Sequence, residues 1–286
     1  MRPALPALLL GATCIALSPI FVRLSEAGPT ATAFWRVALA VPALWAASIA
    51  ARRHAATPGS AAPWALLAIA GFAFAGDLGF WHASIQLTSV ANSTLLANLA
   101  SIFVTLAAWL VLRQRPSGLF LAGLVTALAG VSTLVRVSVD LSPAALAGDA
   151  LGVLTAVFYA AYLLAVKALR DRGQSTLDVM AVTSTLTATI LLPLALASGE
   201  TMLPHSASGW AVLAGLALVS HAAGQGLIAF ALAHLPAAFS SVSLLFQPVM
   251  AALFAWMILA EPLVALQMLG GAIVLAGIYL AHRGSP

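Results

Sequence analysis

The sequence predicts an all-α membrane protein whose ten transmembrane helices form two inverted repeats of five, residues 1–140 and 141–286. Three observations carry this expectation. Of 286 residues, 62% are hydrophobic and 7% charged, with a mean hydropathy of +1.06, whereas a water-soluble globule carries about 25% charged residues. Apolar runs of about 20 residues, the length that crosses a bilayer, recur along the whole chain. Finally, Trp64, Trp109, Gly123 and Gly130 are spaced 45, 14 and 7 residues apart, and Trp210, Trp256, Gly270 and Gly277 repeat the ladder at 46, 14 and 7. Each copy holds an odd number of spans, so the second copy must thread the membrane upside down relative to the first.

The spans follow in order. The first, 4–24, sits behind Arg2 like a secretory leader. It lacks a small-residue cleavage site, and Gly11 stands where a lipoprotein signal before Cys14 would need Leu, so it is read as a retained helix. The second, 31–50, ends at Arg52-Arg53, and an Ala/Ser/Pro/Gly-rich loop over 51–62 leads to the third, 63–86. A tight connection at 87–88 turns into the fourth, 89–112, followed by 118–136, 148–170 and 176–197. After a second short loop, 198–208, come 209–233 and 236–259, then a tight corner at 260–262 and the last span, 263–282. Pro19 and Pro248 fall inside the first and ninth spans, where each deletes a backbone hydrogen bond and bends its helix, as a moving hinge or as a static kink. The fifth and tenth spans are poor in polar residues and carry the repeated glycines, which fits scaffold helices in close contact.

Charge sets the orientation. Arg2, Arg52, Arg53, Arg113, Arg115, Lys167, Arg170, Arg172 and Arg283 fall at one set of helix ends; only Arg23, Arg36 and Arg136 fall at or near the other. The positive-inside rule then places both termini in the cytoplasm. Glu26, Asp140, Asp149, Glu200 and Glu261 lie on the outer side. One pair of corners shows the inversion locally: Ala108–Leu112 runs into Arg113-Gln114-Arg115-Pro116, and Ala255–Leu259 into Ala260-Glu261-Pro262. The net charge of +4 does not make a nucleic-acid site, because the basic residues are scattered over loops. A single cysteine, Cys14, excludes an intramolecular disulfide.

Polar side chains inside a span need a partner or a wet cavity, so they point into the bundle. They gather in the third span (Asp77, His82), the fourth (Asn92, Ser93, Thr94, Asn98, Ser101), the sixth (Tyr159, Tyr162), the eighth (Ser220, His221, Gln225) and the ninth (Ser240, Ser241, Ser243, Gln247). Because spans three and eight, and four and nine, are repeat equivalents, a cavity on the pseudo-two-fold axis is the simplest arrangement. Asp77 is the one acidic residue deep in a span, and His221 lies at similar depth in the equivalent span, so the two are expected to meet or share waters across the cavity. The alternative is local: Asp77 caps a backbone break between Gly76 and Gly79, and His221 makes one helix-to-helix hydrogen bond. A carboxyl at that depth could also exchange protons. Trp81, His82, Tyr159 and Tyr162 offer an aromatic lining for a small amphipathic solute, with core packing as the alternative for Trp81. Asn98, Gln225 and Gln247 supply amides for a solute or for neighbouring helices. Trp35, Trp45, Trp64, Trp109, Trp210 and Trp256 lie near helix ends and read as interfacial anchors, and Arg36 as a side chain that snorkels to headgroups.

The stretch from Ala231 to Leu280 contains Ala233, Pro236-Ala237-Ala238, Gln247-Pro248-Val249, Ala255–Leu259, Glu261-Pro262, Gln267, Gly270 and Ala276-Gly277. With Asp149-Ala150-Leu151-Gly152 leading into Ala156–Ala161, it resembles the EamA family of the drug/metabolite transporter superfamily, over essentially the whole chain. Arg115-Pro116 departs from that pattern, in which Glu is common. The resemblance implies a ten-helix secondary transporter with inverted repeats, usually an inner-membrane exporter of amino acids or related metabolites. The aromatic lining is compatible with the branch that exports aromatic and other neutral amino acids. Other readings are export of drugs or another small metabolite, and a membrane scaffold or receptor without flux. An intramembrane enzyme is the weakest of them, because His54, His82, His205, His221, His234 and His282 show no zinc-type pairing on one helix. No nucleotide-binding motif is present, and no metal or cofactor is expected.

Overall fold

The computed structural model describes residues 3–53, 63–111, 113–135, 142–260 and 262–285. Arg2, His54, Leu112, Arg136, Asp140 and Glu261, which carry expectations above, lie outside the described residues. Those described form ten helices and no strand. They are α1 (Ala4–Leu24), α2 (Pro29–Arg53), α3 (Trp64–Leu87), α4 (Val90–Asn98 continued by Ala100–Leu110), α5 (Gly118–Val135), α6 (Pro143–Asp171), α7 (Thr176–Ala197), α8 (Ala207–Leu232), α9 (Ala237–Leu259) and α10 (Ala265–Gly284). All but α5 are long and apolar enough to cross a membrane; α5, with 18 residues, spans about 27 Å at 1.5 Å per residue. The main departure from expectation is α6, which begins five residues earlier than the apolar run. Ser142 accepts from the Ala145 N–H and Pro143 takes the first helical position, so a cap and a proline start the helix before hydrophobicity does.

Prolines explain most interruptions. Pro19, Pro42 and Pro248 cannot donate to Ile15, Ala38 and Leu244, and the helices break at Leu17, Leu39 and Leu244–Leu245. In α4 the break at Leu99 has no proline. There Asn98 Nδ2 donates to the Thr94 carbonyl (2.8 Å) and Ser101 Oγ to that of Asn98 (3.0 Å), so side chains compete with the ladder. Residues 216–225 of α8 are π-helical.

The inverted symmetry is visible in the packing. α5 and α10 run antiparallel with their glycines face to face. A Cβ on Gly130 would lie 2.9 Å from the Gly270 carbonyl, and one on Gly123 2.7 Å from that of Gly277. Exchanging the repeats turns the first contact into the second. Likewise α3 packs on α6 and α8 on α1, while the equivalent pairs α2 with α7 and α4 with α9 meet across the axis. Trp45 Nε1 donates to Thr185 Oγ1 (3.0 Å) between α2 and α7, so this tryptophan ties two helices rather than only anchoring one. Even the corners repeat: Arg113 (φ 57°) and Ala260 (φ 54°) occupy the left-handed region after α4 and α9.

One end of the bundle carries Arg52, Arg53, Arg113, Arg115, Lys167, Arg170, Arg172 and Arg283, and the other Glu26, Asp149 and Glu200. At this acid end two carboxylates cap helices of the opposite repeat. Glu200 accepts from the Thr30 and Ala31 N–H groups (2.7 and 3.3 Å) at the start of α2, and from Gln86 Nε2 (3.2 Å). Glu26 accepts from the N–H groups of His205 and Ser206 (2.8 and 3.0 Å) and from Ser206 Oγ (2.5 Å) before α8. Trp35 Nε1 donates to the Met202 carbonyl (2.7 Å) and its ring meets that of Trp210 edge-on at 5.2 Å. The hydroxyl and N–H of Ser206 hold the Glu26 carboxyl below its ordinary 4.5. A carboxyl so lowered stabilises the clasp above its ordinary range, and that contribution is lost as pH falls through the lowered value. Protection of the amides of residues 205–209, taken relative to their intrinsic exchange rates, is therefore expected to fall as pH drops below the carboxyl's ordinary 4.5, and Glu26→Gln is expected to show low protection at every pH.

Candidate functional site

A cavity of about 150 Å³ lies between the repeats, room for several waters. Every helix that the polar census singled out contributes: α3 gives Asp77, Leu78 and Trp81, α4 Thr94, Ala97 and Asn98, α6 Thr155 and Tyr159, α8 Gln225, and α9 Gln247, Pro248 and Ala251. Ile15, Ala16, Ser18 and Pro19 of α1 and Arg36 of α2 complete the lining. By position along their helices these residues run from mid-depth (Gln225, Tyr159) toward the acid end (Ser18, Arg36, Trp81). Toward the basic end the bundle is filled by buried Leu8, Val104, Leu163, Leu232, Phe239 and Val242. Discontinuities surround the cavity: the breaks beside Pro19, Asn98 and Pro248, and the π-helical turn that ends at Gln225. Such widened turns recur at functional sites because they re-aim side chains.

Eight of the expected positions thus converge: Asp77, Trp81, Asn98, Tyr159, Gln225, Gln247, Pro19 and Pro248. Three stand apart. His82 is buried, donates from Nδ1 to the Leu78 carbonyl (2.7 Å) one turn back on its own helix, and meets Trp81 edge-on. Tyr162 stacks on Phe74 with its hydroxyl 3.8 Å from Met180 Sδ, facing α3 and α7. His221 shares a 2.7 Å hydrogen bond with Ser184 Oγ of α7 and stacks on Phe74. Neither hydrogen bond nor ion pair joins His221 to Asp77. The local alternative describes this histidine: it is a helix-to-helix contact. Asp77 lines the cavity instead of capping a break, since α3 runs unbroken through Gly76 and Gly79.

Arg36 corrects the reading of its position. It is 7% exposed, not snorkelled, and its guanidinium lines the cavity with Nε unpartnered. Its charge and that of Asp77 act on each other, yet they form no salt bridge. Beside the Tyr159 hydroxyl lie the amides of Gln225 and Gln247, which leave Gln225 Oε1 and Gln247 Nε2 free. Ser18 Oγ is free as well. The cavity therefore offers one cation, one anion, and amide and hydroxyl groups of both donor and acceptor kind on an otherwise apolar wall. Among the described residues no group of three or more His, Cys, Asp or Glu could hold a metal.

The sequence profile of the "EamA-like transporter family" matches residues 2–136 and again 146–283. The chain belongs to the EamA-like transporter family. It is therefore a multi-pass membrane transporter. An "Uncharacterized transporter" of Archaeoglobus fulgidus is 29% identical over 273 residues, covering 91% of each chain. A solved structure described as "Crystal structure of protein" superposes with a TM-score of 0.81 at 17% identity, over 98% of this chain and 95% of that one. At that identity the likeness shows the fold alone. Two separate family matches fall on the two halves that the Trp/Gly ladder marks out.

Proposed function

We propose that this chain is a secondary transporter of a bacterial-type inner membrane, termini in the cytoplasm, exporting neutral amino acids, aromatic ones included, or related metabolites. The halves 1–140 and 141–286 are its moving units. They rock about the α5–α10 and α2–α7 contacts, with Pro19 and Pro248 as hinges, and expose the central site to one side at a time. Solute sits among Asp77, Trp81, Asn98, Tyr159, Gln225 and Gln247, with His82, Tyr162 and His221 packed behind and beside this first layer. The observation that carries the reading is the cavity itself: both repeats line it, and its two charges cancel, which suits a solute without net charge. Its position between mid-depth and the acid end, above a packed basic-end half, supports one of the two states that alternating access requires.

Counterflow tests this. Purified protein in liposomes loaded with unlabelled phenylalanine or leucine is expected to accumulate the labelled amino acid transiently. Accumulation of a bulky organic cation but of no amino acid would redirect the assignment to drug export, and no flux of any solute would end the transport reading. A rate that changes with an imposed pH gradient would assign proton coupling rather than facilitated diffusion.

A further inference from the structure

We propose that Arg36 and Asp77 hold the two poles of a zwitterionic solute, Arg36 taking its carboxylate and Asp77 its ammonium. This rests on the transport reading above and names the recognition chemistry of that site. Intramembrane ionisable groups are costly, so each needs a counter-charge or a function. Arg36 is more than nine-tenths buried and lines the cavity, and among the described residues its Nε has no hydrogen-bond partner. Asp77 lines the same cavity, and among the described residues neither a hydrogen bond nor an ion pair occupies its carboxylate. Two opposite charges that line one cavity without forming an ion pair leave room for a solute between donor fork and carboxylate. A molecule bearing both charges on adjacent groups fills that room and neutralises both walls.

A monopole would not. An amine without a carboxylate satisfies Asp77 and leaves the buried guanidinium facing a second positive charge; a carboxylate without an amine does the converse at Asp77. Either leaves a desolvated charge unpaired, which disfavours binding more than a lost contact alone. Gln225 and Gln247 line the same cavity at mid-depth and add amides to its polar wall. Trp81, Leu78, Ile15 and Pro248 supply the apolar wall for the rest of the solute.

The test uses full-length protein in liposomes and three probes per solute skeleton: phenylalanine, phenethylamine and 3-phenylpropanoate, with leucine, 3-methylbutylamine and 4-methylpentanoate alongside. Wild-type protein is expected to bind either amino acid about tenfold or more tightly than its single-pole analogues, measured as inhibition of counterflow. Arg36→Gln is expected to weaken the amino acid by about tenfold to a hundredfold and to leave the amine analogue unweakened. Asp77→Asn is expected to do the same for the amino acid while sparing the carboxylate analogue. Arg36→Lys, which keeps the charge but loses the planar fork, should recover part of the loss. Size-exclusion profiles matching wild type show that the variants are folded, and the analogue pattern would not shift if Arg36 were only structural. Equal weakening of amino acid and amine by Arg36→Gln, or wild-type protein that exchanges amines as well as amino acids, would overturn the assignment while leaving transport standing. Absence of flux by every solute would remove the transport reading beneath it.

Discussion

Gly277→Ala is expected to lower the thermal midpoint of the detergent-solubilised protein sharply, and Gly123→Ala to do so by a similar amount. An added Cβ at Gly277 would sit 2.3 Å from the Ala127 backbone nitrogen, and one at Gly123 2.3 Å from the Ala281 nitrogen. The obstructing atoms are main chain, so no side chain can swing away; α5 and α10 must separate along their length. In lipid there is little hydrophobic drive between helices, and close backbone approach through small residues is a principal source of affinity. Overpacking of a tight contact costs about 1–3 kcal/mol and sometimes more. Because the two positions are mates in one contact, the double variant is expected to cost less than the two singles added together: once the helices have parted for one methyl, the second meets less resistance. Full additivity, or an unchanged midpoint in either single variant, would contradict the antiparallel glycine seam.

The second large effect concerns charge. Arg36→Gln or Asp77→Asn alone leaves one uncompensated charge in the cavity between the repeats, whereas the double variant leaves none. Breaking one member of a buried opposite-charge pair costs about 3–5 kcal/mol at most when the two are in direct contact, and replacing both with neutral groups is often harmless. Here the charges are apart, so the stability loss is smaller but has the same sign. Arg36→Gln/Asp77→Asn is therefore expected to melt above either single variant, close to wild type, and yet to transport amino acids at less than about a tenth of the wild-type rate. That separation of stability from activity distinguishes a binding dipole from a structural one. Double-variant activity near wild type would count against both residues.

The architecture was legible because it follows from coarse quantities. Hydropathy gives the spans, the Trp/Gly ladder gives the repeat, and an odd span count gives the inversion; none of these needs azimuthal detail. The site was legible only in part, for reasons of geometry. Depth along a helix can be counted, which is why Asp77 and His221 were expected at one level, but direction around the axis cannot be counted through a distorted helix. His221 sits within the π-helical stretch of α8, where each turn holds more residues than in an α-helix, so its face cannot be projected from Gln225 or from its counterpart in α3. Tyr162 shares a face with Tyr159 but lies one turn deeper, where α3 and α7 close over it. Arg36 was misplaced by a boundary. With α2 assumed to start at residue 31, its side chain could reach headgroups; α2 instead starts at Pro29, capped by Glu200, and Arg36 falls nearly two turns inside. Pro29 at the first helical position was the available signal. The Glu26 and Glu200 clasp left no trace in periodicity, since it joins loops to helix starts some 170 residues away in sequence.

A carrier of this design must open the cavity between the repeats to each side of the membrane in turn during transport. The direct measurement is thiol labelling at Ala97→Cys, a lining position with no polar group to lose, in a chain whose Cys14 has been replaced by Ser, reconstituted with known orientation and probed with a membrane-impermeant reagent from each side. Labelling from the acid-end side, protection by transported amino acid, and labelling from the basic-end side that appears when solute is supplied for turnover are the predicted results. Labelling confined to one side under all conditions and indifferent to solute would contradict a carrier site at this cavity.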